Sequence, residues 1–233
     1  MDMGYGPVWV YDQRVHGTSG HLHPVFDALV HVDKFKDYGT DLSTVVDHVW
    51  PTLGKKKFLV SHSMGGLVSF DSLTRSERIK RFDAFVAVAP LLRGKRSFPL
   101  SQWENRLKGG SFWNKDNIGV LTSSTNRWTT LVNGCHTFPF ECREAMSIQF
   151  PLKHATFLNG FQKRPTTIKI PTLIQFAGNE ECVYNKATFD YVSKQVHNPT
   201  IRVYTGARHA LWQERDVFRD LALADMDTFL SIH

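Results

Sequence analysis

Cysteine is scarce: Cys135, Cys142 and Cys182 are the three in 233 residues. An odd number leaves at least one thiol unpaired, which argues against a disulfide-stapled secreted scaffold and for a reducing, cytoplasmic compartment. A Cys135–Cys142 bridge or a metal site drawing on His136 would need ligand pairs at diagnostic spacing, and these are missing, so neither a metal nor an organic cofactor is expected. Long apolar runs are lacking too. The stretch from Ala84 to Leu92 is far shorter than the roughly 20 residues a membrane-spanning helix needs. The opening "MDMGYGP" has neither the basic start nor the apolar core of a signal peptide. Acidic residues are outnumbered, 22 against 28 basic, for a net charge of +6 and a pI near 9.3. The basic residues are scattered, however, with short clusters only at 55–57 and 93–96, which argues against a nucleic-acid footprint. A plain solvated basic surface fits this pattern, as does peripheral contact with anionic lipid headgroups at the inner face of a membrane.

What is present reads as one globular domain. Hydrophobic residues make up 42% and charged residues 21%, and the length suits a single core carrying an insertion. Residues 8–13, "VWVYDQ", are β-branched and aromatic enough for a buried strand. Leu42, Val45, Val46 and Val49 recur at helical spacing behind Asp41 as a capping residue. Strands are expected at 57–60, 83–91, 172–180 and 200–209, with helices after residue 63, near 184–196 and near 214–231. Continuous apolar strands alternating with helices predict an α/β fold whose mostly parallel sheet is covered on both faces. The sheet core comprises 1–91 and 169–233. Between them, 92–168 lacks strand periodicity and is rich in aromatics, Gly and Pro, which suits an inserted cap with a helix over 121–132.

The chemistry concentrates in "FLVSHSMGGLVSF" (58–70). A nucleophilic serine on a tight strand-to-helix turn needs small neighbours, because strand and helix approach closely there. Ser63 fits, with Gly65 and Gly66 following it. Ser61 stands two residues before it, where glycine is usual, at a cost of about 1 kcal/mol or less if its backbone conformation is an ordinary one. The N–H of Met64 at the start of the helix is the expected oxyanion donor. A serine attacks only when a base takes its proton and a third group orients the base. The strand end at "AGNEECV" offers Glu180 and Glu181 as the acid, Glu180 coming first. The strand end at "GARHALWQE" offers His209 as the base. The remaining histidines, His16, His62 and His136 among them, read as structural or surface groups.

These blocks resemble a known family. "VYDQRVHGTSG" is similar to a D-x-R-G-x-G-x-S loop with Val15 in a glycine position. "FKDYGTDLSTVV" is similar to the following helix, "SHSMGG" to a G-H-S-M-G-G elbow, "LTSSTNRW" to a cap segment, and the two strand ends to the acid and histidine blocks. The chain is thereby identified as resembling the α/β-hydrolase superfamily, in its lysophospholipase L2 and monoacylglycerol lipase-like branch, related to the serine aminopeptidases. The resemblance implies a catalytic triad of Ser63, Glu180 and His209, with glutamate where aspartate is commoner. It implies hydrolysis of carboxylic esters of monoacylated lipids, lysophospholipids first, through an acyl-enzyme. It also implies strands ahead of "VYDQR", including one whose loop supplies a second oxyanion N–H. The chain starts just before the fourth strand of that order, and His16-Gly17 is not a substitute. A fragment of a longer enzyme is therefore expected. Two rivals stand beside this reading: a peptidase or small-ester hydrolase on the same scaffold, and a non-catalytic binding protein. The cap aromatics Trp103, Phe112, Trp113, Trp128, Phe138 and Phe140 would line an acyl pocket or pack the cap.

Overall fold

The computed structural model describes residues 4–16, 19, 29–30, 32–77, 79–94, 145–146, 149–164, 167–180 and 182–233. In chain order the elements are β1 (Leu29–Val30), α1 (Asp37–Val49), β2 (Phe58–His62), α2 (Met64–Arg75), β3 (Ala84–Val88), β4 (Ala145–Met146), α3 (Gln149–Gln162), β5 (Thr172–Ala177), α4 (Asn185–Gln195), β6 (Thr200–Tyr204) and α5 (Asp216–Ser231). β2, β3, β5 and β6 form one sheet in the order β2-β3-β5-β6, and every pairing is parallel. Parallel neighbours cannot be joined by a tight turn, so the connections carry helices that cover the faces.

The alternation of side chains along β3 shows how both faces are filled. Phe85 and Ala87 join a core with Leu67, Phe70, Phe161, Ile174 and Tyr191, beneath α1 to α4. Ala84, Val86 and Val88 point the other way, into a second core with Leu173, Tyr204, Leu211 and Phe229 under α5. All five residues of β3 are buried, as are all six of β5, which is why β3 is an unbroken apolar run. The two polar residues of β5 are buried with hydrogen bonds, Thr172 donating to the Ile170 carbonyl and the Gln175 amide to Tyr204 Oη and the Ala222 carbonyl. Burial on two faces makes the central strands the rigid base on which the loops at their C-terminal ends are aimed.

Two sequence expectations fail here. Residues 8–13 form no strand; Val8, Trp9 and Val10 are 73%, 53% and 88% exposed. Their composition suits a pleated surface, but a strand exists only where a ladder partner does. Asp41 does not cap α1, which starts four residues earlier at Asp37 without a side-chain cap. Asp41 instead accepts a bidentate pair from the Arg14 guanidinium, while Asp37 takes its third N–H. That fork fastens the 11–16 loop to the helix, a planar donor array matched to planar acceptors.

The expected cap falls largely outside the described residues, with all six of its aromatics, Cys135, Cys142, His136 and the 121–132 helix. Within its described part, β4 pairs with β1 in parallel, and α3 returns the chain to the core. Just past the end of α3, Arg164 pairs with the buried carboxylate of Asp71 on α2, which also holds Arg75 at 2.9 Å. No described helix is long and apolar enough to cross a membrane.

Candidate active site

The turn between β2 and α2 is strained, and its neighbours hold it. Ser63 has φ 53° and ψ −118°, a left-handed φ that a side chain rarely adopts. Its N–H donates to the Val88 carbonyl at the end of β3, and its own carbonyl accepts from both Gly66 and Leu91, all at 2.9 Å. Three backbone bonds thus fix the residue while its side chain projects from the turn. The closest approach falls one residue beyond the position expected from the motif. A Cβ on Gly65 would meet only ordinary contact, 3.6 Å from the Ser61 Cβ, whereas one on Gly66 would lie 2.6 Å from the Pro90 Cβ. Ser61 lies within β2 and is not among the positive-φ residues, so a serine there meets no backbone conflict. Its cost is different: the Oγ is buried and makes no hydrogen bond to the protein.

Gly178 brings the other two loops together. A Cβ there would sit 2.7 Å from both the Thr205 Cα and the Tyr204 carbonyl oxygen, so only glycine lets the turns after β5 and β6 touch. Gly178 N–H donates to the Tyr204 carbonyl at 2.9 Å and Asn179 N–H to the Ala207 carbonyl at 2.8 Å. The result places Glu180 and His209 side by side, 4% and 3% exposed. Glu181, the alternative acid, lies outside the described residues.

The three expected side chains meet in one chain of hydrogen bonds. His209 Nδ1 lies 2.9 Å from Glu180 Oε2, and His209 Nε2 lies 2.8 Å from Ser63 Oγ. A carboxylate only accepts, so Nδ1 carries the proton and the lone pair on Nε2 faces the serine hydroxyl. The other oxygen of Glu180 accepts the N–H groups of Cys182 at 2.7 Å and Val183 at 3.2 Å. Burial alone would raise the carboxyl pKa; the contact with His209 and these two N–H bonds outweigh it and hold the group below its ordinary value. Met64 opens α2 directly after Ser63, in the first turn where backbone N–H groups have no intrahelical partner.

Two residues of this site were not singled out by sequence reasoning. His62 packs its ring 4.8 Å from that of His209 and donates from Nε2 to the His209 carbonyl at 3.1 Å. Burial, then repulsion from His209, pushes its pKa down to about 4, so it stays neutral beside the His209 ring at neutral pH. Glu214, 2% exposed, accepts the N–H of Arg208 at 2.8 Å and that of Arg215 at 3.3 Å. It staples both sides of the loop that carries His209. The fifth position after a candidate histidine is the signal that would have marked it. Val15 has φ 60° and is 1% exposed, which explains why glycine suits the position and why a buried valine can persist there.

A parallel sheet in this order, with a serine on a strained strand-to-helix turn, defines the class: this is an α/β-hydrolase fold. The model of the family described as serine aminopeptidase, S33 matches residues 3–216, and the chain belongs to that family. It is 24% identical over 229 residues to a monoglyceride lipase homolog of monkeypox virus, covering 96% of this chain and 78% of that protein. It is 23% identical to rat monoglyceride lipase, covering 96% and 73%. Among solved structures, a thermostable carboxyl esterase from Bacillus coagulans superposes with a TM-score of 0.61 at 16% identity, over 94% of this chain and 78% of that one. A monoacylglycerol lipase from Paleococcus ferrophilus gives 0.58 at 16%, over 94% and 81%. The chain thus stands among lipase- and esterase-like hydrolases.

Proposed function

We propose that the chain is a serine hydrolase of monoacylated lipid esters, with Ser63 as nucleophile, His209 as general base and Glu180 as the orienting acid. The observation that carries this reading is the single imidazole bridging a hydroxyl at 2.8 Å and a buried carboxylate at 2.9 Å, in the tautomer a base requires. Ser63 Oγ would attack the ester carbonyl as Nε2 takes its proton. The Met64 N–H would receive the developing oxyanion. The imidazolium, stabilised by Glu180, would then protonate the departing alcohol, and water would release the fatty acid by the same steps in reverse order. Glutamate in the acid position is supported by the two backbone N–H bonds that fix its far oxygen.

Within monoacylated lipids, the relatives' descriptions as monoglyceride lipases favour a neutral glycerol ester over the lysophospholipid that the sequence puts first. Fluorophosphonate labelling and ester turnover by the wild type, both lost in Ser63→Ala, test the mechanism. Activity retained in that variant sinks it. A panel of monoacylglycerol, lysophosphatidylcholine, a short p-nitrophenyl ester and an aminoacyl amide tests the substrate class. Preference for the amide would replace the lipase reading with a peptidase.

A further inference from the structure

We propose that the acid–base pair doubles as an inhibitory site for a thiophilic divalent cation such as Zn²⁺, with Cys182 as the additional ligand. The inference deepens the proposed function and rests on it, since it concerns regulation of the same site. Glu180, Cys182 and His209 each offer a ligand atom, and the three atoms lie within 4.8 Å of one another. Thiolate, imidazole and carboxylate are the donor set that zinc takes, at about 2.0 to 2.3 Å each. A tetrahedral ion with such bonds spaces its ligands about 3.4 Å apart, between the 2.9 Å from His209 Nδ1 to Glu180 Oε2 and the 4.8 Å limit of the cluster. The ligands come from two loops joined across Gly178, so small movements of either loop adjust the bite. Cys182 is in no disulfide and is half-buried, whereas Glu180 and His209 are almost fully buried, so a cation would approach from the Cys182 side. Magnesium and calcium demand oxygen ligands and fit this set poorly.

Binding here stops the proposed reaction for a reason of proton placement. A neutral imidazole carries one N–H. A cation binds Nδ1 only through a lone pair, so the proton held there leaves and the neutral ring carries its one N–H on Nε2, the atom that must accept the proton of Ser63. The Cys182 thiol gives up its proton to solvent as its sulfur coordinates, so one proton is released per cation bound. A cation on Nε2 would instead occupy the hydrogen-bonding position of Ser63 Oγ. Both arrangements silence the base, and a chelator reverses them.

The test uses the whole chain freed of metal with EDTA and then titrated with zinc chloride. Hydrolysis of p-nitrophenyl ester, fluorophosphonate labelling and calorimetric binding are followed together. Zinc is expected to suppress hydrolysis and labelling reversibly, with magnesium inert. Cys182→Ser and Cys182→Ala should each raise the half-inhibitory zinc concentration by about 10-fold or more, compared with each variant's own zinc-free rate. His209→Ala should lose the calorimetric event, whereas Ser63→Ala, which removes no ligand, should keep it. Zinc sensitivity unchanged by both Cys182 substitutions overturns the proposal, as does equal inhibition by magnesium. If the chain proves inactive but Cys182-dependent zinc binding persists in calorimetry, the cation site stands and the hydrolase reading falls. Hydrolysis without Cys182-dependent zinc binding leaves the hydrolase reading standing and removes the cation site.

Discussion

Acid should destabilise this protein before its ordinary carboxylates titrate, and His154 gives a direct way to measure one cause. The residue lies in α3 with its ring 5.0 Å from that of Phe35, and its Nε2 is buried without a hydrogen-bond partner. Burial pushes its pKa down to about 4 from the ordinary 6.5. The unfolded chain therefore binds a proton at a higher pH than the folded one, so stability falls as pH drops from 6.5 towards 4. The gap of 2.5 corresponds to about 3 kcal/mol at 1.36 kcal/mol per pH unit. Because the ring keeps some solvent contact, ~2 kcal/mol is the working figure. For a chain of this size that is roughly 4–8 °C of Tm between pH 7 and 4. His154→Leu removes the titrating group and the orphaned nitrogen while keeping the packing against Phe35. Thermal unfolding by circular dichroism across this range should show a Tm drop smaller than that of the wild type by that amount. His62 and Glu180 titrate identically in both proteins, so the difference isolates one ring. Parallel pH profiles for wild type and variant would refute the reasoning.

Other expectations follow from the same geometry. In Glu180→Gln the amide oxygen keeps the Cys182 and Val183 N–H bonds, which turns the NH₂ towards His209 Nδ1 and forces the proton onto Nε2; kcat should fall on the order of 10³–10⁴-fold with KM little changed, and a smaller drop than tenfold contradicts the tautomer argument. Gly65→Ala and Gly66→Ala should move Tm in opposite directions: the first gains helix propensity of up to about 1 kcal/mol, the second meets Pro90 and loses ~2 kcal/mol or more. Ser61→Ala deletes a buried unpaired hydroxyl and should stabilise by about 1 kcal/mol, read from urea unfolding. Ester hydrolysis should decline in acid, because a protonated imidazole cannot accept the Ser63 proton, and a flat profile down to about pH 4 speaks against a histidine base.

The elbow is legible in the sequence because its requirements are local: a short strand, a serine, small residues and a helix within a dozen positions. His209 and Glu180 are legible because they follow apolar strands in a fixed chain order. Residues 8–13 mislead because strand formation depends on a partner that composition does not reveal. Asp41 misleads as a cap because a capping carboxylate and one gripped by a distant Arg14 look the same in one dimension. His62 escapes notice since its partner is the backbone of a residue 147 positions away; no local pattern encodes that bond. The clash that fixes Gly66 likewise involves Pro90, so the motif suggests a tight spot while the packing decides which glycine fills it.

The stacked pair of imidazoles also gives the protein an internal reporter. His62 stays neutral across the range where most histidines titrate, and its ring lies 4.8 Å from that of His209 at an angle of 48°. Its carbon-bound ring protons therefore feel the ring current and charge of the neighbour without changing state themselves. A proton NMR titration that follows those resonances would read the protonation of His209 from next door. The same signals would register acylation of Ser63 without a label placed in the site.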